Sequence, residues 1–378
     1  MMPMRLDLHD DLPPTLAPGA NPRPPLKIAV LAHIKHPIRQ PFAGGLEAFT
    51  FDVVKGLQQR GHDVVLFASE RSDPALNTFA ICADDNYDAD NGSRTWPDPS
   101  AEFLSEHNSY LKMMQQVDSQ GFDIIFNNSL HYVPVTMASI VRTPMLTVLH
   151  TPPIFELSNA YGALLQPIRC ATPSKANADS WHALVPECEV IPNGIDLSFW
   201  SPKGKPGDHA IWFGRVVPEK GAHLAIQAAR RAGVELRLAG PAVNREYFDE
   251  QIAPSLGDGV TYLGHLSREE LVAEIAGASV AMITPRWDEP FGLVVAEALA
   301  CGTPVAGFRR GALPELITDE TGALAPADDV DGLVEALLRA RTKSRAACRA
   351  RAEAKWGYDQ MLGNYEALLR QVAMTRHA

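Results

Sequence analysis

A chain of 378 residues, at roughly 150 residues per domain, has room for two domains. Apolar residues make up 46% and charged residues 21%, a globular balance that excludes a disordered chain, a collagen-like fibre and a disulfide scaffold. The formal net charge of -11 excludes a general nucleic-acid binder, because phosphate contacts need an excess of Lys and Arg.

In chain order, residues 1–25 read as a flexible, proline-rich tail. They carry charges and prolines where a signal peptide has an apolar core. The longest apolar stretches fall short of the roughly 20 residues that a membrane span needs. From Leu26 to His150, 9 Lys/Arg stand against 14 Asp/Glu, which argues against docking on anionic lipid. The five cysteines (Cys82, Cys170, Cys188, Cys301, Cys348) are odd in number and scattered, with no C-x-x-C pair. They read as reduced thiols. The expectation is a soluble, cytoplasmic protein with no strong membrane signal. Its oligomeric state is not legible.

Leu26–Ile34 is continuous, apolar and β-branched, the pattern of a buried strand. In Gly44–Gly61, Leu46, Phe49, Val53, Val54 and Leu57 recur at helical spacing. Asp63–Ser69, Phe122–Asn128, Thr143–His150 and Arg169–Ser174 read as further strands. Alternation of this kind predicts a parallel sheet with helices on both faces. Residues 26–192 are thus expected to form a first Rossmann-like domain, and the Gly-, Pro- and Ser-rich residues 193–208 a linker. The pattern restarts over residues 209–355, with Glu289–Gly302 expected as one helix. Residues 356–378 hold a terminal helix. The fold class predicted is α/β, two tandem doubly wound domains facing across a cleft. Ligands of such sheets bind at the carboxyl ends of the strands.

The segment WDEPFGLVVAEALACGTP carries the strongest constellation. Pro290 suits a first helical position, which would set Glu289 at a helix mouth with Glu297 a little over two turns along. The N–H groups of Phe291, Gly292 and Leu293 would then lack intrahelical partners and offer an anion or hydroxyl site. Glu289 can accept from sugar hydroxyls and Glu297 from a ribose diol.

Set beside GRVVPEKG (Gly214–Gly221), Asn-Gly-Ile-Asp (Asn193–Asp196), the Gly44-Gly45 pair and GALPE (Gly311–Glu315), this segment resembles the retaining glycosyltransferases of family 4, with the GT-B fold. Two glutamates separated by seven residues are that family's mark. The resemblance runs from about Leu26 to the final helix. It implies that the first domain binds an acceptor, the second a nucleotide-sugar, and that the last helix crosses back to the first domain. It also implies that Arg215 and Lys220 contact the donor diphosphate, that Gly44 and Gly45 approach the donor from across the cleft, and that His150 contacts the donor sugar near the reacting carbon. No residue stands as an obvious covalent nucleophile, and the mechanism that the resemblance implies is same-face attack. Similar enzymes use neither a metal nor another cofactor; the nucleotide-sugar is a co-substrate. UDP-sugar is the first expectation for the donor and GDP-mannose the second.

Weaker candidates surround this set. His33, Lys35, His36 and Arg39 crowd the loop after the first strand and are candidates for a sugar-containing or small-molecule acceptor, with a solvated loop as the alternative. Glu47 is either an acceptor-orienting group or a helix-start carboxylate. Arg286 and Trp287 can border the donor site. The triplet Asp88-Ala-Asp90 reads as a solvated acidic loop and not a metal site. A nucleotide-sugar epimerase of the same fold and a non-catalytic nucleotide-sugar-binding protein are the rival readings.

Overall fold

The computed structural model describes residues 24–83, 87–88, 93–94 and 99–375. In the first half, seven parallel strands run β1 Lys27–Ala32, β2 Asp63–Ser69, β3 Thr78–Cys82, β4 Ile124–Asn128, β5 Met145–Val148, β6 Arg169–Thr172 and β7 Cys188–Val190. Their order in the sheet is β3-β2-β1-β4-β5-β6-β7. In the second half, six strands run β8 Ala210–Phe213, β9 Leu236–Ala239, β10 Val260–Tyr262, β11 Val280–Ile283, β12 Val305–Phe308 and β13 Gly322–Ala325, in the order β10-β9-β8-β11-β12-β13. Both sheets reverse strand order beside their first strand. Each such switch point opens a crevice at the carboxyl ends, and the two crevices face each other.

Helices cover both faces of each sheet, which is why the strands are apolar on both sides. Beneath the first sheet, Phe49, Val53 and Leu57 of helix Gly45–Gln59 pack with Leu362, Tyr365 and Leu369 of the terminal helix Tyr358–Ala373. The last helix in sequence therefore packs on the first sheet. Tyr358 fixes its entry by donating from its hydroxyl to the Asp52 carbonyl at 2.6 Å. The two chain crossings lie side by side: the Ile195 N–H donates to Trp356 O, and the Tyr358 N–H to Ile195 O.

The helix expected over Glu289–Gly302 is shorter, Leu293–Ala300. Gly292 precedes it at φ 91° and ψ 64°, a left-handed conformation that no helical run can include. Pro290 therefore lies in a loop outside the helix. The helix itself leaves the N–H groups of Leu293 and Val294 without intrahelical partners, while those of Phe291 and Gly292 stand in the loop before it. Glu297 stands little more than one turn into the helix. The first strand is also shorter at both ends than Leu26–Ile34.

Candidate active site

A cavity of about 1450 Å³ separates the carboxyl ends of the two sheets. Its second-domain wall is shaped by backbone. After β8, Gly214 takes φ 146°, and after β9, Gly240 takes φ 140°. A Cβ on Gly240 would overlap the Gly214 carbonyl, so the two loops lie backbone on backbone. Arg215 follows, exposed, its guanidinium without a hydrogen-bond or ion-pair partner among the described residues.

Lys220 ends the turn Pro218–Lys220. The Thr284 hydroxyl, which accepts from Trp212 Nε1 at 3.1 Å, lies within hydrogen-bond reach of the Lys220 and Gly221 carbonyls. This ties the turn to the end of β11. The Lys220 ammonium pairs with the Glu289 carboxylate and lies 5.2 Å from the centre of the Trp287 ring. Trp287 Nε1 donates to the same Glu289 oxygen at 2.9 Å. Glu289 is 7% exposed, and its own carbonyl accepts from the Ala312 N–H at 2.8 Å. Gly311 takes φ 51°, and a Cβ there would strike the Glu289 backbone. The role of GALPE is thus partly to seat Glu289. Its Glu315 reaches across to the first domain and accepts from the N–H groups of Lys175, at 3.0 Å, and Ala176, at 2.5 Å.

Glu297 also lines the cavity. Burial pushes its carboxyl up to about 7, against the pull of Arg268. Arg268 lies 4.7 Å over the Phe199 ring and 5.8 Å over Trp200. Arg268 is the first residue of the helix Arg268–Gly277. No motif marks it, because its neighbours here come from the linker and from a distant helix.

The first-domain wall is built from side chains. Gly44, at φ -168°, is in extended backbone that any residue adopts. Gly45 approaches the second domain closely: a Cβ would lie 2.9 Å from Leu293 Cδ1, the end of a leucine side chain, across the cleft. His33 Nε2 meets Glu47 Oε1 at 2.6 Å, and both are buried. Burial alone would raise the Glu47 carboxyl; the hydrogen bond and charge of His33 outweigh it and hold the carboxyl at about 2. His150 Nε2 lies 2.8 Å from Asn128 Oδ1, with its ring edge-on to Phe49 at 4.8 Å. Burial, assisted by His33, holds its imidazole down at about 3, so it is neutral at pH 7.

The weaker candidates divide. Lys35 lies between Glu102 at 3.5 Å and Glu106 at 3.7 Å, and His36 is edge-on to His33 at 5.7 Å; both line the cavity. Arg39 is not on its wall, nor is Arg286, which pairs with Asp328 at 3.4 Å. Phe291 is 3% exposed and its side chain packs with Trp356, while the residue still lines the cavity. Asp90 and the side chain of Asp88 lie outside the described residues, as do residues 1–23 of the tail. No helix among the described residues is long and apolar enough to cross a membrane.

Known proteins share the family and the fold. Residues 43–199 match the family described as Glycosyltransferase Family 4, and residues 200–355 the family described as Glycosyl transferases group 1. A glycogen synthase from Mycobacterium tuberculosis is 36% identical over 180 residues, covering 44% of this chain and 43% of that one. A D-inositol 3-phosphate glycosyltransferase from Mycobacteroides abscessus is 32% identical over 203 residues, covering 47% and 46%. The chain thus spans about half the length of the curated relatives it matches. The crystal structure of Anabaena HepE in complex with UDP-glucose superposes with a TM-score of 0.69 at 19% identity, covering 92% of this chain and all of that one. At that identity the likeness is one of fold.

Proposed function

The chain belongs to the family 4 glycosyltransferases of the GT-B fold, and from that premise we propose that it transfers a hexose from a nucleotide-sugar to an acceptor hydroxyl, with retention and without a metal. The observation that carries the reading is the convergence of Arg215, Lys220, Glu289 and Glu297 on one wall of the cleft. A departing nucleoside diphosphate gathers negative charge as its bond to the anomeric carbon breaks. Preorganised cations aimed at that charge are the strongest catalytic device available. Arg215 supplies a forked cation free to receive a phosphate, and Lys220 a point charge already seated on a fixed turn.

In the proposed step the bond from the anomeric carbon to the diphosphate oxygen breaks, and its electron pair leaves with the diphosphate. The acceptor oxygen bonds to that carbon from the same face, and its proton passes to the departing phosphate oxygen. Glu289 holds the sugar hydroxyls while sharing Lys220 with the phosphate. Glu297 takes the ribose diol. Two hydroxyl donors favour its ionised form, so nucleotide binding should draw its carboxyl down from about 7 and release a proton. Binding is then tighter at pH 8 than at pH 6. UDP-sugar is the first donor to test, supported by the UDP-glucose held by the HepE fold, and GDP-mannose the second.

The test is nucleoside diphosphate release from UDP-glucose, GDP-mannose and ADP-glucose over an acceptor panel. One donor should turn over, and Lys220→Ala should slow it about a hundredfold or more. Near-normal turnover in that variant contradicts the assignment. A product that keeps its nucleotide would favour an epimerase.

A further inference from the structure

Outward from the buried histidines, the first-domain wall continues as a ladder of rings. Tyr110 and His131 are stacked with centres 4.0 Å apart, and His131 and Tyr132 at 4.5 Å. Phe103 and Tyr132 follow at 6.4 Å, their planes 16° apart. The ladder climbs from Tyr110, 2% exposed, to Phe103, 56% exposed, and all four rings line the cavity. Burial, with His107 and Lys35 nearby, holds the His131 imidazole at about 3, so the ladder is uncharged at neutral pH.

Beside the outer ring, the Lys35 ammonium lies 3.5 Å from Glu102 and 3.7 Å from Glu106. A hydroxyl both donates and accepts, and a carboxylate next to an ammonium answers both needs. A phosphate needs a surplus of positive charge, and here two carboxylates outnumber one ammonium. A flat apolar ring alone would desolvate the charged trio without giving it partners.

The geometry points to an acceptor subsite for an uncharged sugar ring, its C–H face stacked on Phe103, the outer ring of the ladder, and its hydroxyls on Glu102 and Lys35. This rests on the glycosyltransferase reading above and adds the acceptor's class: a neutral saccharide, not a phosphorylated polyol. Aromatic faces favour the partly positive C–H groups of such a ring.

Saturation-transfer NMR tests it, with methyl α-glucoside, methyl α-mannoside and maltotriose as uncharged probes and glucose 6-phosphate and phenol as rivals. Each is added to the protein saturated with the nucleoside diphosphate that stabilises it. At least one uncharged probe should bind, weakened about fivefold or more by Phe103→Ala and restored by Phe103→Trp. Phe103 is exposed, so its truncation leaves the core intact. Tighter binding of glucose 6-phosphate or phenol, no binding of any uncharged probe, or unchanged binding in Phe103→Ala would each overturn the subsite. The thermal shift with nucleotide, read on the same samples, separates the two failures. A shift without saccharide binding sinks the subsite alone; neither shift nor transfer sinks the reading beneath it.

Discussion

On the second-domain wall, charged side chains stand on loops whose shape is set by glycine: Gly214 against Gly240, Gly221 against Thr284, Gly311 against Glu289. In the depth of the first-domain wall the polar groups are buried and matched side chain to side chain, His33 with Glu47 and His150 with Asn128. The first design leaves cations such as Arg215 free for a ligand. The second fixes protonation states, keeping Glu47 ionised and His150 neutral. One wall is built to receive charge and the other to exclude changes of charge. That division is what an anionic leaving group facing an uncharged acceptor would require.

The contrast can be broken most severely at Gly311. Gly311→Val adds a Cβ where the backbone is left-handed and Glu289 occupies the space, so it should cost about 4 kcal/mol or more, read as a lowered urea midpoint. His33→Leu comes next. It strands Glu47 as a buried charge, at a cost of about 3 kcal/mol near pH 7. The sign with pH is specific. In the parent, Glu47 is held at about 2 against 4.5 unfolded, a contribution present above pH 4.5 and lost as the pH falls toward 2. Without His33, burial raises the same carboxyl, so the deficit of the variant should shrink in acid.

Glu297 gives a smaller effect of opposite pH dependence. Its folded value of about 7 exceeds 4.5, so its contribution is complete below pH 4.5 and is lost as the pH rises through 7. Glu297→Gln should therefore gain stability over the parent between pH 5 and pH 8. A parallel shift at both values would contradict the burial argument. The smallest effect is expected at Gly44→Ala. The backbone there is extended and the new Cβ meets only the Glu47 carboxylate at 3.1 Å, so the cost should stay within about 1 kcal/mol.

The same division explains what could be read from the chain alone. The two sheets follow from apolar strands alternating with amphipathic helices, and the second wall from short motifs whose residues are neighbours in sequence. Lys220 and Glu289 lie 69 positions apart, yet each belongs to its own motif at a strand end. On the first wall Gly44, Gly45, His33, Glu47 and His150 were legible singly, but their pairings were not. His150 meets Asn128 across two strands, and Tyr110 on a helix stacks on a histidine after β4. Such pairs exist only after the sheet has formed. The misplaced helix start has a local cause: Pro290 signals a beginning, but the left-handed Gly292 postpones it to Leu293. Arg268 carries no mark in the sequence because its partners Phe199 and Trp200 come from the crossing between domains.

The most direct measurement is the thermal shift with UDP, GDP and ADP in three proteins: the parent, Arg215→Ala and Phe103→Ala. One nucleotide at a hundred times its dissociation constant should stabilise the parent by about 2.7 kcal/mol. Arg215→Ala should lose most of that shift, and Phe103→Ala should keep it. A full shift in Arg215→Ala, or none with any nucleotide in the parent, would contradict a donor site on the second-domain wall.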